Sequence, residues 1–176
     1  MIEVRREDLV TADVECVLRS VSSTLEPLTA LDGRVGLAAG TEVQERIEQI
    51  GELPVGGAVI TPAGDLGAAF IVHVALRSYD EPVTTSGVRR ALLNGLRRAG
   101  QFGIETLALP PLGTGAGNLD AEAAADVMLK VIREHSHEQE HPKDVVIMVA
   151  TDYERDVFVS RLQQSPETGE GSRDGP

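Results

Sequence analysis

LALPPLGTGAGNLDAEAAADV, residues 107–127, carries the sharpest change of local character in the chain. An apolar run over 104–109 enters Pro110 and Pro111, then a loop of Gly113, Thr114, Gly115, Ala116 and Gly117, then an Ala-rich segment of helical composition. Strand, glycine loop and helix in that order make an α/β unit. Three glycines in five residues let the backbone turn sharply and direct successive amides outward. Between the carboxyl end of a strand and the start of a helix, such a loop favours an anion, a diphosphate for example. The spacing is neither G-x-G-x-x-G nor G-x-x-x-x-G-K-[ST], so a dinucleotide fingerprint and a P-loop are both excluded. The competing reading is a glycine-rich turn that holds nothing.

Working outward, short β-branched runs occur at 2–4, 14–21, 58–61, 70–76, 104–109 and 145–150. Three of them (FIVHVAL, IETLALP and DVVIMVA) are almost continuously apolar, as strands covered on both faces should be. Helical periodicity lies between them. Val88, Ala91, Leu92, Leu96 and Ala99 form one stripe, with Arg89, Arg90, Arg97 and Arg98 largely off it. Further helices are expected over 36–50, over 121–135 with His, Lys and Arg toward its end, and over 152–163 with Asp152 as cap. The alternation predicts an α/β fold, a three-layer α-β-α sandwich around a mixed, mostly parallel sheet. One domain is expected over 1–163. The segment 164–176, QSPETGEGSRDGP, has no large apolar side chain and is expected to be a disordered tail.

The chain has 176 residues and a net charge of −12, and without the tail the charge is still −10. That acidity argues against general nucleic-acid binding, which needs clustered Lys and Arg. One cysteine, Cys16, excludes an internal disulfide and any zinc site built on cysteines. No apolar run approaches a membrane span, and the opening MIEVRREDLV has no signal-peptide core, so a cytoplasmic location is expected. His135, His137 and His141 lack the i, i+4 pairing of a helical metal site and read as a solvated helix end; no metal or cofactor is expected. His73, inside an apolar strand, reads as a satisfied core histidine, Cys16 as a small buried hydrophobe, Phe158 as core, and the four arginines as a solvated helix face.

ALPPLGTGAG, the earlier GGAVITPAGDL (56–66) with FIVHVA (70–75), and the opening EDLVTADVECVL (7–18) together resemble a macro domain, the ADP-ribose-binding module, over about residues 2–162. The resemblance implies a mixed sheet between helices and a diphosphate wrapped by the 113–117 loop. Glu7, Asp8 and Leu9 fall on the family's G-D-I, which makes Asp8 the candidate for the adenine amino group, since a carboxylate accepts from an exocyclic NH2. LDGRVGLAAG (31–40) is similar to a stretch of the family's hydrolases and puts Asp32 where some hold a catalytic aspartate.

Departures from the pattern are equally specific. The family's V-D-A-I-V-N-A-A-N falls on residues 14–22, with Arg19 and Ser22 in place of its two asparagines. Ser22 is then the shorter occupant of a ribose-contacting position. A Gly-rich loop is replaced by Glu26, Pro27, Leu28, Thr29 and Ala30, where Glu26 would repel a diphosphate if turned inward. The position of an adenine-stacking aromatic is Ala150, with Tyr153 three residues on as a possible substitute. These losses favour a binder of ADP-ribose or a related nucleotide diphosphate, free or on an ADP-ribosylated protein. The alternatives are an ADP-ribosyl hydrolase or O-acetyl-ADP-ribose deacetylase using Asp32, and a closed macro fold acting through protein contacts. In the binder, Asp32 is expected to cap the helix that follows it.

Overall fold

The structure, a computed structural model, describes residues 1–115 and 118–164. The expected tail, from residue 165 on, lies outside the described residues, as do Ala116 and Gly117. The strands are β1 (Ile2–Arg5), β2 (Cys16–Ser22), β3 (Ala58–Pro62), β4 (Phe70–Arg77), β5 (Thr106–Leu109) and β6 (Asp144–Met148). They form one six-stranded sheet in the order β1-β6-β5-β2-β4-β3. Every pairing is parallel except β3 with β4.

Side-chain alternation along each strand divides the core into two layers. Cys16, Leu18, Val72, Val74, Leu107 and Ile147 face one side, packed by α3 (Thr85–Gln101), α4 (Ala121–Glu138) and α5 (Asp152–Gln163). Val17, Val21, Ile71, Ala75, Ala108 and Met148 face the other, covered by a 3-10 turn (Leu9–Thr11), α1 (Ala30–Ala39) and α2 (Thr41–Ile50). The α/β sandwich read from the sequence is the observed fold. All five residues of the predicted α3 stripe are fully buried, and Arg89, Arg90, Arg97 and Arg98 are exposed on its other side. Phe158 and Cys16 are sealed in the core, where burial pushes the Cys16 thiol up to about 12.

Beyond shifts of a few residues at the ends of strands and of α4, two expectations differ. The single helix over 36–50 is two helices meeting at Gly40, whose φ of 93° no helix accommodates. The cap of α5 is Thr151, whose hydroxyl accepts from Glu154 N at 3.1 Å, and Asp152 is the first helical residue. Thr has the same capping chemistry as Asp, so the signal was one residue out of register.

The chain leaves β2 toward the layer of α1 and leaves β5 toward the layer of α4. Adjacent parallel strands whose exits diverge to opposite faces open a crevice at their carboxyl ends. β2 and β5 are such a pair, and Pro110, Pro111 and Gly113 to Gly115, which follow β5, line the crevice.

Candidate functional site

Two adjoining cavities lie along the carboxyl edge of the sheet. One, of about 360 Å3, is lined by Arg6, Asp8, Leu9, Arg34 and Val149. The second, of about 210 Å3, is lined by Ser20, Thr29, Asp32, Gly113, Thr114 and Gly115. Leu31, Met148 and Ala150 belong to both linings, so the two are lobes of one cleft with an apolar floor between them.

Asp8 is positioned as the cap of the 3-10 turn, with Oδ1 accepting from Val10 N at 3.1 Å. Its Oδ2 accepts from Arg34 Nη2. The Arg34 hydrogen bond, with help from the Val10 amide, holds the carboxyl below its ordinary value, so Asp8 stands ionised. Each oxygen keeps a lone pair for a further donor.

The other lobe is built on backbone. Gly113 adopts φ 85°, and a β-carbon there would come within 2.9 Å of Leu119. This is the loop glycine whose absence of a side chain the turn requires. Among the described residues, the amides of Gly113, Thr114 and Gly115 donate to no backbone acceptor. Gly115 faces Thr29 across the cleft, and a β-carbon on it would lie 2.6 Å from Thr29 Cγ2. Among the described residues no Lys or Arg lines this lobe, while Asp32 and Glu154 do. An anion here would be held by oriented amides and the first turn of α1 rather than by cationic side chains.

Asp32 is 1% exposed and does not cap α1 as its N-cap. Thr29 holds that place, accepting from Asp32 N at 3.1 Å, and Asp32 is the third residue of a reciprocal capping box. Asp32 Oδ2 accepts from Ser20 Oγ at 2.7 Å, Thr29 Oγ1 at 2.8 Å and Thr29 N at 3.1 Å, and its Oδ1 accepts from Ser20 N at 3.1 Å. The carboxylate ties the end of β2 to the start of α1.

The remaining expected residues are placed elsewhere. Ser22 sits in a turn closed by Ser22 N donating to Glu26 O at 2.8 Å, and it lines neither lobe. Glu26 is exposed and outside both linings. Tyr153, 61% exposed on the first turn of α5, donates its hydroxyl to Glu122 at the start of α4, and that bond raises its pKa. Ala150 lies on the cleft floor. Arg19 turns to the α1–α2 face, where its Nε donates to His73 Nδ1 at 2.9 Å. Arg34 was not singled out from the sequence, and only its position two residues after Asp32 in LDGRVG could have drawn attention to it.

The sequence model described as Macro domain matches residues 20–128. An O-acetyl-ADP-ribose deacetylase of Enterobacter sp. (strain 638) is 31% identical over 172 residues, covering 92% of this chain and 92% of that one. An uncharacterized protein of Mycobacterium tuberculosis is 27% identical over 134 residues, 76% of this chain, and the chain spans 37% of that relative's length. Among solved structures, the Trypanosoma brucei macrodomain in complex with ADP-ribose superposes with a TM-score of 0.81 at 14% identity, over 92% of this chain and 68% of that one. With the mixed sheet and the cleft at its carboxyl edge, these likenesses make the chain a member of the macro domain family.

Proposed function

We propose that the cleft binds ADP-ribose, free or attached to a protein, and that residues 1–163 form one cytoplasmic reader domain without hydrolase activity. The observation that carries this reading is the joined pair of lobes, with an ionised carboxylate at one end and, at the other, loop amides that donate to no backbone acceptor among the described residues. Adenine belongs in the Asp8 lobe, where the carboxylate accepts from its amino group. The Arg34 guanidinium, planar and in the same lining, can offer the flat face that Ala150 lacks. The diphosphate belongs against the amides of Gly113, Thr114 and Gly115. A single buried thiol fits a reducing compartment.

Two observations favour the deacetylase reading: Asp32 lines the phosphate lobe, and a relative of comparable length bears that name. The hydrogen bonds of Asp32 weigh against it. A general base must direct a lone pair at its water. Four donors already converge on this carboxylate, three of them on Oδ2. Oδ1, with its one donor, is the oxygen that keeps a lone pair, but the residue is 1% exposed, which favours a carboxylate that holds Ser20 and Thr29 in place.

Calorimetric titration with ADP-ribose, ADP, AMP and ribose 5-phosphate tests the reading. ADP-ribose and ADP should bind, AMP more weakly, and ribose 5-phosphate most weakly. No heat with any of the four at millimolar concentration would leave a closed fold acting through protein contacts. Release of ADP-ribose from an auto-modified protein, or of acetate from O-acetyl-ADP-ribose, should stay at background; turnover abolished by Asp32→Asn would establish the enzyme instead.

A further inference from the structure

β3 is an outer strand of the sheet, paired with β4 on one side and with no strand on the other among the described residues. Alternate residues face β4. Ala75 N donates to Gly57 O at 3.0 Å and Ala63 N to Ala69 O at 3.0 Å, and Val59 and Thr61 fall in phase with Gly57 and Ala63. Ala58, Ile60 and Pro62 therefore turn their backbone groups outward, and the amides of Ala58 and Ile60 donate to no acceptor among those residues. Edge strands are usually blunted by a charged side chain or a proline, because an open edge pairs with other chains. β3 reads AVITP: it has no charge, its proline stands at the far end, and Val59 and Ile60 are only half-buried.

The helix beside this edge has a charge opposite to that of the whole chain. α3 contains four arginines and no acidic residue, in a chain of net charge −12. Arg90 packs against Gly56, where a β-carbon would lie 3.1 Å from Arg90 Cβ, and Asn94 Nδ2 donates to Gly56 O at 2.7 Å. Arg97 and Arg98 follow on the same face, one and two turns along. Between strand and helix lies a groove of about 400 Å3, lined by Leu53, Gly57, Ala58, Asn94, Arg97 and Arg98 and by no acid among the described residues. Arg89 pairs with Glu134 at 3.4 Å, whereas Arg90 and Arg97 have no ion pair or side-chain hydrogen bond among those residues. The groove shares no lining residue with either lobe of the ADP-ribose cleft.

We propose that this groove docks an extended acidic segment of another protein, which joins the sheet on β3 and sets its carboxylates against Arg90, Arg97 and Arg98. A peptide backbone answers the outward groups of Ala58 and Ile60, and carboxylates fit the guanidinium fork. A nucleic acid would meet the arginines but has no peptide groups for the strand. A second copy of this chain would satisfy the strand. Pairing β3 with β3 about a two-fold axis, however, sets two α3 helices side by side with like charges facing each other.

The test uses the full chain and a capped, fluorescein-labelled heptapeptide of alternating glutamate and valine, read by fluorescence anisotropy and by amide hydrogen exchange. The peptide should bind saturably, and its lysine–valine counterpart should not bind. In the complex the amides of Ala58 and Ile60 should exchange with solvent at least tenfold more slowly, which contact with the arginines alone would not produce. Arg97→Glu reverses one charge at an exposed position of the lining. That variant should weaken the peptide at least tenfold, with the melting temperature and the ADP-ribose affinity unchanged. Several results would each overturn the proposal: no saturable binding, unchanged exchange at Ala58 and Ile60, full peptide affinity in Arg97→Glu, or displacement of the peptide by decauridylate at lower concentration than by unlabelled peptide. So would a dimer in sedimentation of the chain alone that protects the same two amides.

Discussion

Asp8 and Asp32 are both carboxylates on the wall of one cleft, and their surroundings give them different work. Asp8 has a side chain 39% exposed, ionised by its contact with Arg34, with lone pairs left over. Asp8→Ala should weaken ADP-ribose by about 1–3 kcal/mol, the worth of a hydrogen bond to a charged group, as read by calorimetry. Ribose 5-phosphate, which has no adenine, should be nearly unaffected, and equal weakening of both would place the effect of Asp8 in the fold. Asp32 is buried and accepts from four donors, so Asp32→Asn cannot be the innocuous cap replacement that an exposed N-cap would permit. The amide nitrogen must face either Ser20 N or the three donors on Oδ2, and urea denaturation should show a loss of about 1–3 kcal/mol. An unchanged midpoint would mean that the network is loose enough to free the carboxylate for chemistry. Asp8 was legible in the sequence because the opening segment aligns without gaps. Arg34 was not, because it meets Asp8 across 26 residues of chain and an exposed helix arginine carries no local sign of its partner.

At the scale of elements, the cleft is set by the approach of the 113–115 loop to the cap of α1. The strand, glycine turn and helix of 107–127 were readable because apolar runs and glycines are local signals. What the loop packs against is not local: Gly115 meets Thr29, on the segment that replaces the family's Gly-rich loop. The break at Gly40 was missed for a related reason, since the apolar spacing of 36–50 continues through a glycine whose conformation only the tertiary structure sets. The Thr29 contact makes the loop testable. Gly115→Val should push the loop and the cap apart, abolish ADP-ribose binding and leave the core intact. Gly115→Ala should weaken binding less, and Thr29→Ser should rescue it, because serine keeps the capping hydroxyl and removes the methyl group that the new β-carbon meets. A double variant that binds no better than Gly115→Ala alone would show that the loop is held open by something other than Thr29.

Across the whole molecule, His73 joins parts that no single segment of sequence connects. The β2–β4 register sets Arg19 opposite His73, and the β3–β4 register brings Thr61 within reach. His73 Nδ1 accepts from Arg19 Nε, so the ring proton resides on Nε2 and is donated to Thr61 Oγ1 at 2.8 Å. A core histidine was legible in FIVHVAL, but its partners depend on strand register and were not. Burial, and then the Arg19 charge beside it, hold the His73 pKa at about 3, against an ordinary value of 6.5. The ring is therefore neutral in the folded protein at pH 5, while the unfolded chain takes up a proton as the pH falls below about 6.5. With the folded value depressed, the unfolded state binds more protons throughout that window, so stability is full above about pH 6.5 and declines toward pH 3. The slope is about 1.4 kcal/mol per pH unit for one proton. His73→Gln keeps an acceptor for Arg19 and a donor for Thr61 but does not titrate. Urea unfolding free energies measured between pH 6 and 4.5 should fall more steeply in the wild type than in this variant, by about that amount per unit. Parallel slopes would mean that the folded protein protonates His73 beside Arg19, and the neutral link across β2, β4 and β3 would have to be abandoned.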